Sequence, residues 1–87
     1  MNAVISVIGK DKPGILSRVT NAVADVNANV LEISQSVVFG YFTMIMIVEI
    51  DNMHCELEGL RELLGKTCPD METFVMHEDI FNSMHRI

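Results

Sequence analysis

Gly9-Lys10-Asp11-Lys12-Pro13-Gly14-Ile15-Leu16 joins a strand-like run, Asn2 to Ile8, to a helix-like run, Ile15 to Val26. Two glycines and a proline mark the handover. Glycine reaches positive φ and lets another molecule approach the main chain. Proline suits a first helical turn, where its missing N–H would have no intrahelical partner. The free N–H groups of that turn, with the positive end of the helix dipole, can seat a carboxylate. The same residues also suit a tight strand-to-helix connection that binds nothing.

Outward from this loop the pattern is regular. In the first strand Ala3, Ile5 and Val7 lie on one face and Val4 and Ile8 on the other, so both faces are apolar. In the first helix Ile15, Val19, Ala22, Val23 and Val26 form one stripe at helical spacing. Asp11 is the expected N-cap, and Asn27 or Asn29 the left-handed terminator. A second strand, Val30 to Val38, alternates Leu31, Ile33 and Val37 with Glu32, Ser34 and Ser36, which predicts one buried and one polar face. Phe39-Gly40 reverses the chain into a third strand, Tyr41 to Ile50, again apolar on both faces.

Asp51 or Asn52 is the expected cap of a second helix from His54 to Leu64. Its buried stripe is Leu57, Leu60, Leu63 and Leu64, with Glu56, Glu58 and Glu62 in water and Gly65 closing it. A fourth strand, Met71 to Glu78, precedes an amphipathic segment carrying Ile80, Phe81, Met84 and Ile87. The order βαββαβ is the split βαβ of ferredoxin-like α+β folds. It implies an antiparallel sheet in the order 4-1-3-2, both main helices on one face, and a short C-terminal helix. The two central strands are then the first and third, the two that are apolar on both sides. Residues 1–87 are expected to form one domain.

Composition narrows the function. Twelve acidic against six basic residues give a formal charge of −6, which repels phosphodiester backbones, so direct nucleic-acid binding is not expected. With 49% hydrophobic residues in 87, more apolar surface is present than so small a core absorbs, which points to a second subunit over part of the sheet. No run approaches the ~18 apolar residues of a membrane span. Cys55 and Cys68 lie on either side of the second helix, too far apart for a disulfide, and free thiols without an export signal fit the cytoplasm. His54, Cys55, Cys68, His77 and His85 show no tight metal-binding pair, and a Met-filled core is the expected role of Met44, Met46, Met71, Met76 and Met84. No nucleophile sits beside a base in the pattern, so no catalytic residue, cofactor or metal is expected.

Gly9-x-Asp11-x-Pro13-Gly14-Ile15, with Asn29-Val30 opening the second strand, resembles the ACT domain. Ile33-Ser34-Gln35 and Tyr41-Phe42-Thr43-Met44 are similar to a group of stand-alone bacterial and archaeal ACT proteins of undefined role, related to the glycine-cleavage repressor. The resemblance implies a regulatory module that binds an amino acid or other small effector where two domains meet. Carried onto this chain, the ligand-binding residues are Gly9, Asp11, Pro13, Gly14 and Ile15 of one copy and Asn29 of a neighbour. It further implies a homodimer or higher homo-oligomer, with output to a protein partner in trans. The alternative is a ligand-free dimerisation and docking module.

Overall fold

The computed structural model describes residues 1–84. The elements are β1 (Asn2–Lys10), α1 (Ile15–Asp25), β2 (Asn29–Val38), β3 (Tyr41–Glu49), α2 (Leu57–Thr67), β4 (Glu72–His77) and α3 (Glu78–Met84). The four strands form one antiparallel sheet in the order β2-β3-β1-β4. This is the ferredoxin-like order expected above, read from the other edge. Ile87 of the expected C-terminal stripe lies outside the described residues.

Strand periodicity sorts the sheet residues into two layers. Ala3, Ile5 and Val7 of β1 pair with Val48, Met46 and Met44 of β3, and all six are buried beneath the helices. Ile15, Val19 and Val23 of α1 and Leu60 and Leu64 of α2 close this core from above. Full burial of a side chain such as Leu60 contributes about 1.5–3 kcal/mol, so the sheet–helix layer carries most of the stability.

The helix ends differ from expectation in instructive ways. Asp11 does not cap α1. Gly14 occupies the N-cap position at φ +82° and makes no side-chain cap bond. Proline at 13 and the left-handed turn at 14 bring the chain into the helix without a capping oxygen. The C-terminus follows the sequence: Asn27 takes φ +64°, its N–H donates to Ala24, and Ala28 N–H donates to Val23. That pair of bonds is a Schellman closure. The Asn27 amide also donates to the Asn52 carbonyl at 2.9 Å, tying the end of α1 to the β3–α2 connection.

α2 begins three residues later than expected and continues through Gly65 to Thr67. Neither Asp51 nor Asn52 caps it. Asp51 instead accepts a 2.6 Å bond from the Met1 ammonium, and Glu56 stands at the N-cap without a cap bond. Leu57 and Leu63 are partly buried at the flank of the stripe that Leu60 and Leu64 anchor.

The expected one-sided burial of β2 is not found. Leu31, Ile33 and Val37 are all exposed. Ile33 and Val37 share the helix side of the sheet with Met46 and Phe42, but neither helix covers them. A bulge between Val30 and Glu32 breaks the register where Leu31 sits. Met44 and Met46 fill the core as expected, whereas Met84 is exposed on α3.

Candidate functional site

The β1–α1 loop is held at two points. Asp11 N–H donates to the Gly40 carbonyl at 2.9 Å, which binds the loop to the β2–β3 turn. That turn is a two-residue hairpin with both central residues left-handed, Phe39 at φ +53° and Gly40 at φ +80°. On the other side Lys12 Nζ forms an ion pair with Asp70, at the start of the run into β4. Lys12 lowers the Asp70 pKa by hydrogen bond and charge, and the Arg18 guanidinium adds to the effect.

Gly9 belongs to the end of β1, and its lack of a Cβ has a clear use. A Cβ there would stand 2.5 Å from the Met71 sulfur, so Met71 packs where a side chain would be. Asp11, Pro13 and Gly14 are exposed, while the Ile15 side chain is buried in the core. Ile15 can therefore offer a ligand only its main chain. The first-turn N–H groups of α1 have no side-chain cap, and the Asp11 carboxylate makes no hydrogen bond or ion pair among the described residues.

Asn29 is exposed and lies elsewhere. It pairs with Glu49, which pairs with Asn2, so it stands level with the beginning of β1. The loop leaves from the end of that strand, roughly 25 Å away along the sheet. Within one chain Gly9 to Ile15 are together and Asn29 is not with them.

The two sheet edges are unlike. Along β4, Arg61 of α2 donates to the Val75 carbonyl at 2.9 Å and pairs with Glu58. Along β2, among the described residues, no side-chain hydrogen bond reaches the strand. Sequence reasoning missed the Lys12–Asp70 clasp, because it joins residues 58 apart whose approach depends on the tertiary fold. It placed Phe39 in the reversal but missed that this aromatic is 96% exposed at φ +53°, a conformation uncommon for a residue other than glycine.

Cys55 and Cys68 are free and flank α2 at opposite ends. Burial raises the Cys68 thiol pKa. Among the described residues no three His, Cys, Asp or Glu side chains converge to hold a metal, and no helix is long and apolar enough to cross a membrane.

Comparison with known proteins agrees with this architecture. Residues 2–76 match the ACT domain family. A UPF0237 protein of Clostridium perfringens is 47% identical, with 100% of each chain covered. A solved ACT domain protein of Streptococcus pneumoniae superposes with a TM-score of 0.78 at 34% identity, covering 98% of each chain. The regulatory subunit of aspartate kinase from Thermus thermophilus, in its ligand-free form, gives a TM-score of 0.66 at 27% identity over 85% of this chain and 49% of that one. With the glycine-proline loop and the strand order in place, and the family match running from residue 2 to residue 76 of 87, the chain belongs to the ACT domain family.

Proposed function

We propose that this protein is a regulatory module, not an enzyme, that binds a free amino acid at the start of α1 in a site completed by a second copy. ACT domains are commonly regulatory small-molecule-binding modules. One observation carries the reading to this loop: α1 begins at left-handed Gly14 with no side-chain cap. Its first N–H groups are therefore available to a ligand carboxylate, which the helix dipole also favours. The Asp11 carboxylate, released from the capping role, faces the ligand ammonium. Gly9, Pro13 and Gly14 shape the seat, and Ile15 contributes its main-chain N–H.

Asn29 enters from the neighbour. β2 is a ten-residue edge strand with exposed apolar side chains. Antiparallel pairing of β2 with its copy reverses the strand, so the partner's Asn29 arrives at the hairpin end, beside the Asp11 loop. Asn29 has both donor and acceptor groups for the zwitterion. A ligand held by two chains stabilises the assembly that holds it, and that shift is the signal passed to a protein partner in trans.

Thermal-shift and calorimetric screening of the common amino acids at millimolar concentration tests the reading. At one hundred times its dissociation constant a ligand stabilises by about 2.7 kcal/mol. For a domain of this size that raises Tm by about 10–20 °C. Asp11→Ala removes the shift while leaving the ligand-free Tm nearly unchanged, because Asp11 caps nothing. No response to any amino acid would refute the sensor reading. It would favour the second one, a ligand-free assembly module, which the exposed Leu31, Ile33 and Val37 independently support.

A further inference from the structure

The β2–β3 turn carries a residue that its own geometry disfavours. Both central positions are left-handed, Phe39 at φ +53° and Gly40 at φ +80°. Two-residue turns of this kind favour Asn-Gly or Asp-Gly, because a short polar side chain tolerates positive φ and a bulky one is an outlier there. No packing offsets the strain. Phe39 is 96% exposed, so its ring is buried against nothing in the described chain. Strain held at an exposed aromatic residue, with no return inside the fold, points to a use outside it.

The turn stands at the candidate site. The Gly40 carbonyl accepts from the Asp11 N–H at 2.9 Å, so the residue that follows Phe39 touches the loop leading into α1. Val38 and Tyr41, the pair that closes the turn, are 55% and 53% exposed. The hairpin side of the loop is therefore an apolar rim. Charge adds to the contrast. Lys12, the cation inside the loop, is already paired with Asp70. The Asp11 carboxylate, exposed beside the turn, repels an acidic group. Lys10, paired with Tyr41 across the strands, is the one nearby cation without a carboxylate partner among the described residues.

We infer that Phe39 selects the effector: its ring packs on the side chain of the bound amino acid, and the site takes α-amino acids with aromatic or branched aliphatic side chains. This rests on the sensor reading above. In that reading the α-carboxylate lies on the first N–H groups of α1 and the ammonium on Asp11. The side chain is left to turn toward the hairpin that is pinned to Asp11. There the Phe39 ring gives up no contact of its own, and ring and side chain remove apolar surface from water together. A polar side chain gains nothing from the same contact. The left-handed backbone at Phe39 is what holds the ring within reach of the loop.

Isothermal titration calorimetry on the full chain with L-phenylalanine, L-leucine, L-serine and L-glutamate tests this. L-phenylalanine or L-leucine should bind about tenfold or more tighter than L-serine. Phe39→Asn should weaken the two apolar probes about tenfold and L-serine less than threefold, so that the preference collapses. Because asparagine suits the turn, the same variant should raise the ligand-free Tm by about 2–6 °C. Asp11→Ala serves as the control and should weaken all four probes alike. Wild-type binding that Asp11→Ala abolishes but Phe39→Asn leaves untouched would overturn this inference and spare the sensor reading. An equal loss for every probe in Phe39→Asn would overturn it as well. So would tightest binding of L-glutamate, which would give the selection to Lys10, or a fall in ligand-free Tm, which would make the ring part of the fold. If wild type bound none of the four and no other amino acid, the sensor reading would fail and this inference with it.

Discussion

Gly65→Ala is the substitution whose sign depends most directly on the structure. The sequence pattern places Gly65 beyond the end of α2, where glycine typically takes a left-handed conformation and alanine is penalised. In the structure Gly65 lies inside α2, two residues before its last, and its φ is not positive. A Cβ built there meets nothing within 4 Å. Alanine then meets no clash and no strain, and it gains the helix-propensity difference, about 0.8–1.0 kcal/mol in a helix interior. A position in the last turn captures about half of that where the helix frays, so the expected stabilisation is about 0.5–1 kcal/mol. For a domain of this size 1 kcal/mol moves Tm by about 4–8 °C, which gives a rise of about 2–8 °C by calorimetry or circular dichroism. Urea titration gives the same sign, with an unchanged m-value showing that stability alone has changed. A fall in Tm would mean that α2 ends before Gly65, and the helix boundary argued here would be wrong.

Gly14→Ala has the opposite sign: the Cβ again meets nothing, but φ +82° costs about 1–2 kcal/mol, read as a Tm lowered by about 4–16 °C. Asp70→Asn flattens the acid limb of the stability curve. Lys12 depresses the folded Asp70 pKa, so the pair stabilises fully above the ordinary carboxylate value of 3.8 and is lost as pH falls through the lower folded value. Wild type and variant should converge in acid titrations well below that value and differ above it, with the difference shrinking in high salt. Maleimide labelling followed by mass spectrometry should modify partly exposed Cys55 long before Cys68, whose burial and raised pKa both suppress the thiolate.

The sequence made the sheet legible because strand periodicity is local and binary. Ala3, Ile5 and Val7 against Val4 and Ile8, and Met44 and Met46 against Ile45, assign faces without reference to the rest of the chain, and the structure has them so. Asn27 was legible for the same reason, since its left-handed bonds reach only to Ala24 and Val23. The caps of α1 and α2 were not. Several polar residues near each helix start could serve, and tertiary partners decided among them: the hairpin carbonyl of Gly40 holds Asp11 by its main chain, and the Met1 ammonium takes Asp51. The candidate site was half legible. The loop is continuous in sequence, but Asn29 stands at the opposite end of the sheet, and alternation says nothing about which chain supplies it.

β2 is where local pattern and isolated chain part company, and the disagreement is informative. Its alternation is that of a strand with one buried face, yet Leu31, Ile33 and Val37 are exposed. Alternation records the environment in which a strand functions, and in the proposed assembly a single copy is only part of that environment. β4 gives the control. It too is an edge strand, but Arg61 occupies its Val75 carbonyl and α2 covers Val75, which is buried. The chain shields one edge with its own residues and leaves the other open, with no proline anywhere along it and Glu32 its only charge. An unshielded, ten-residue, largely uncharged edge is a standing invitation to strand pairing unless a partner already fills it. The apolar alternation of β2 therefore supports the proposal that this edge belongs to an interface, which would bring the partner's Asn29 to the uncapped start of α1.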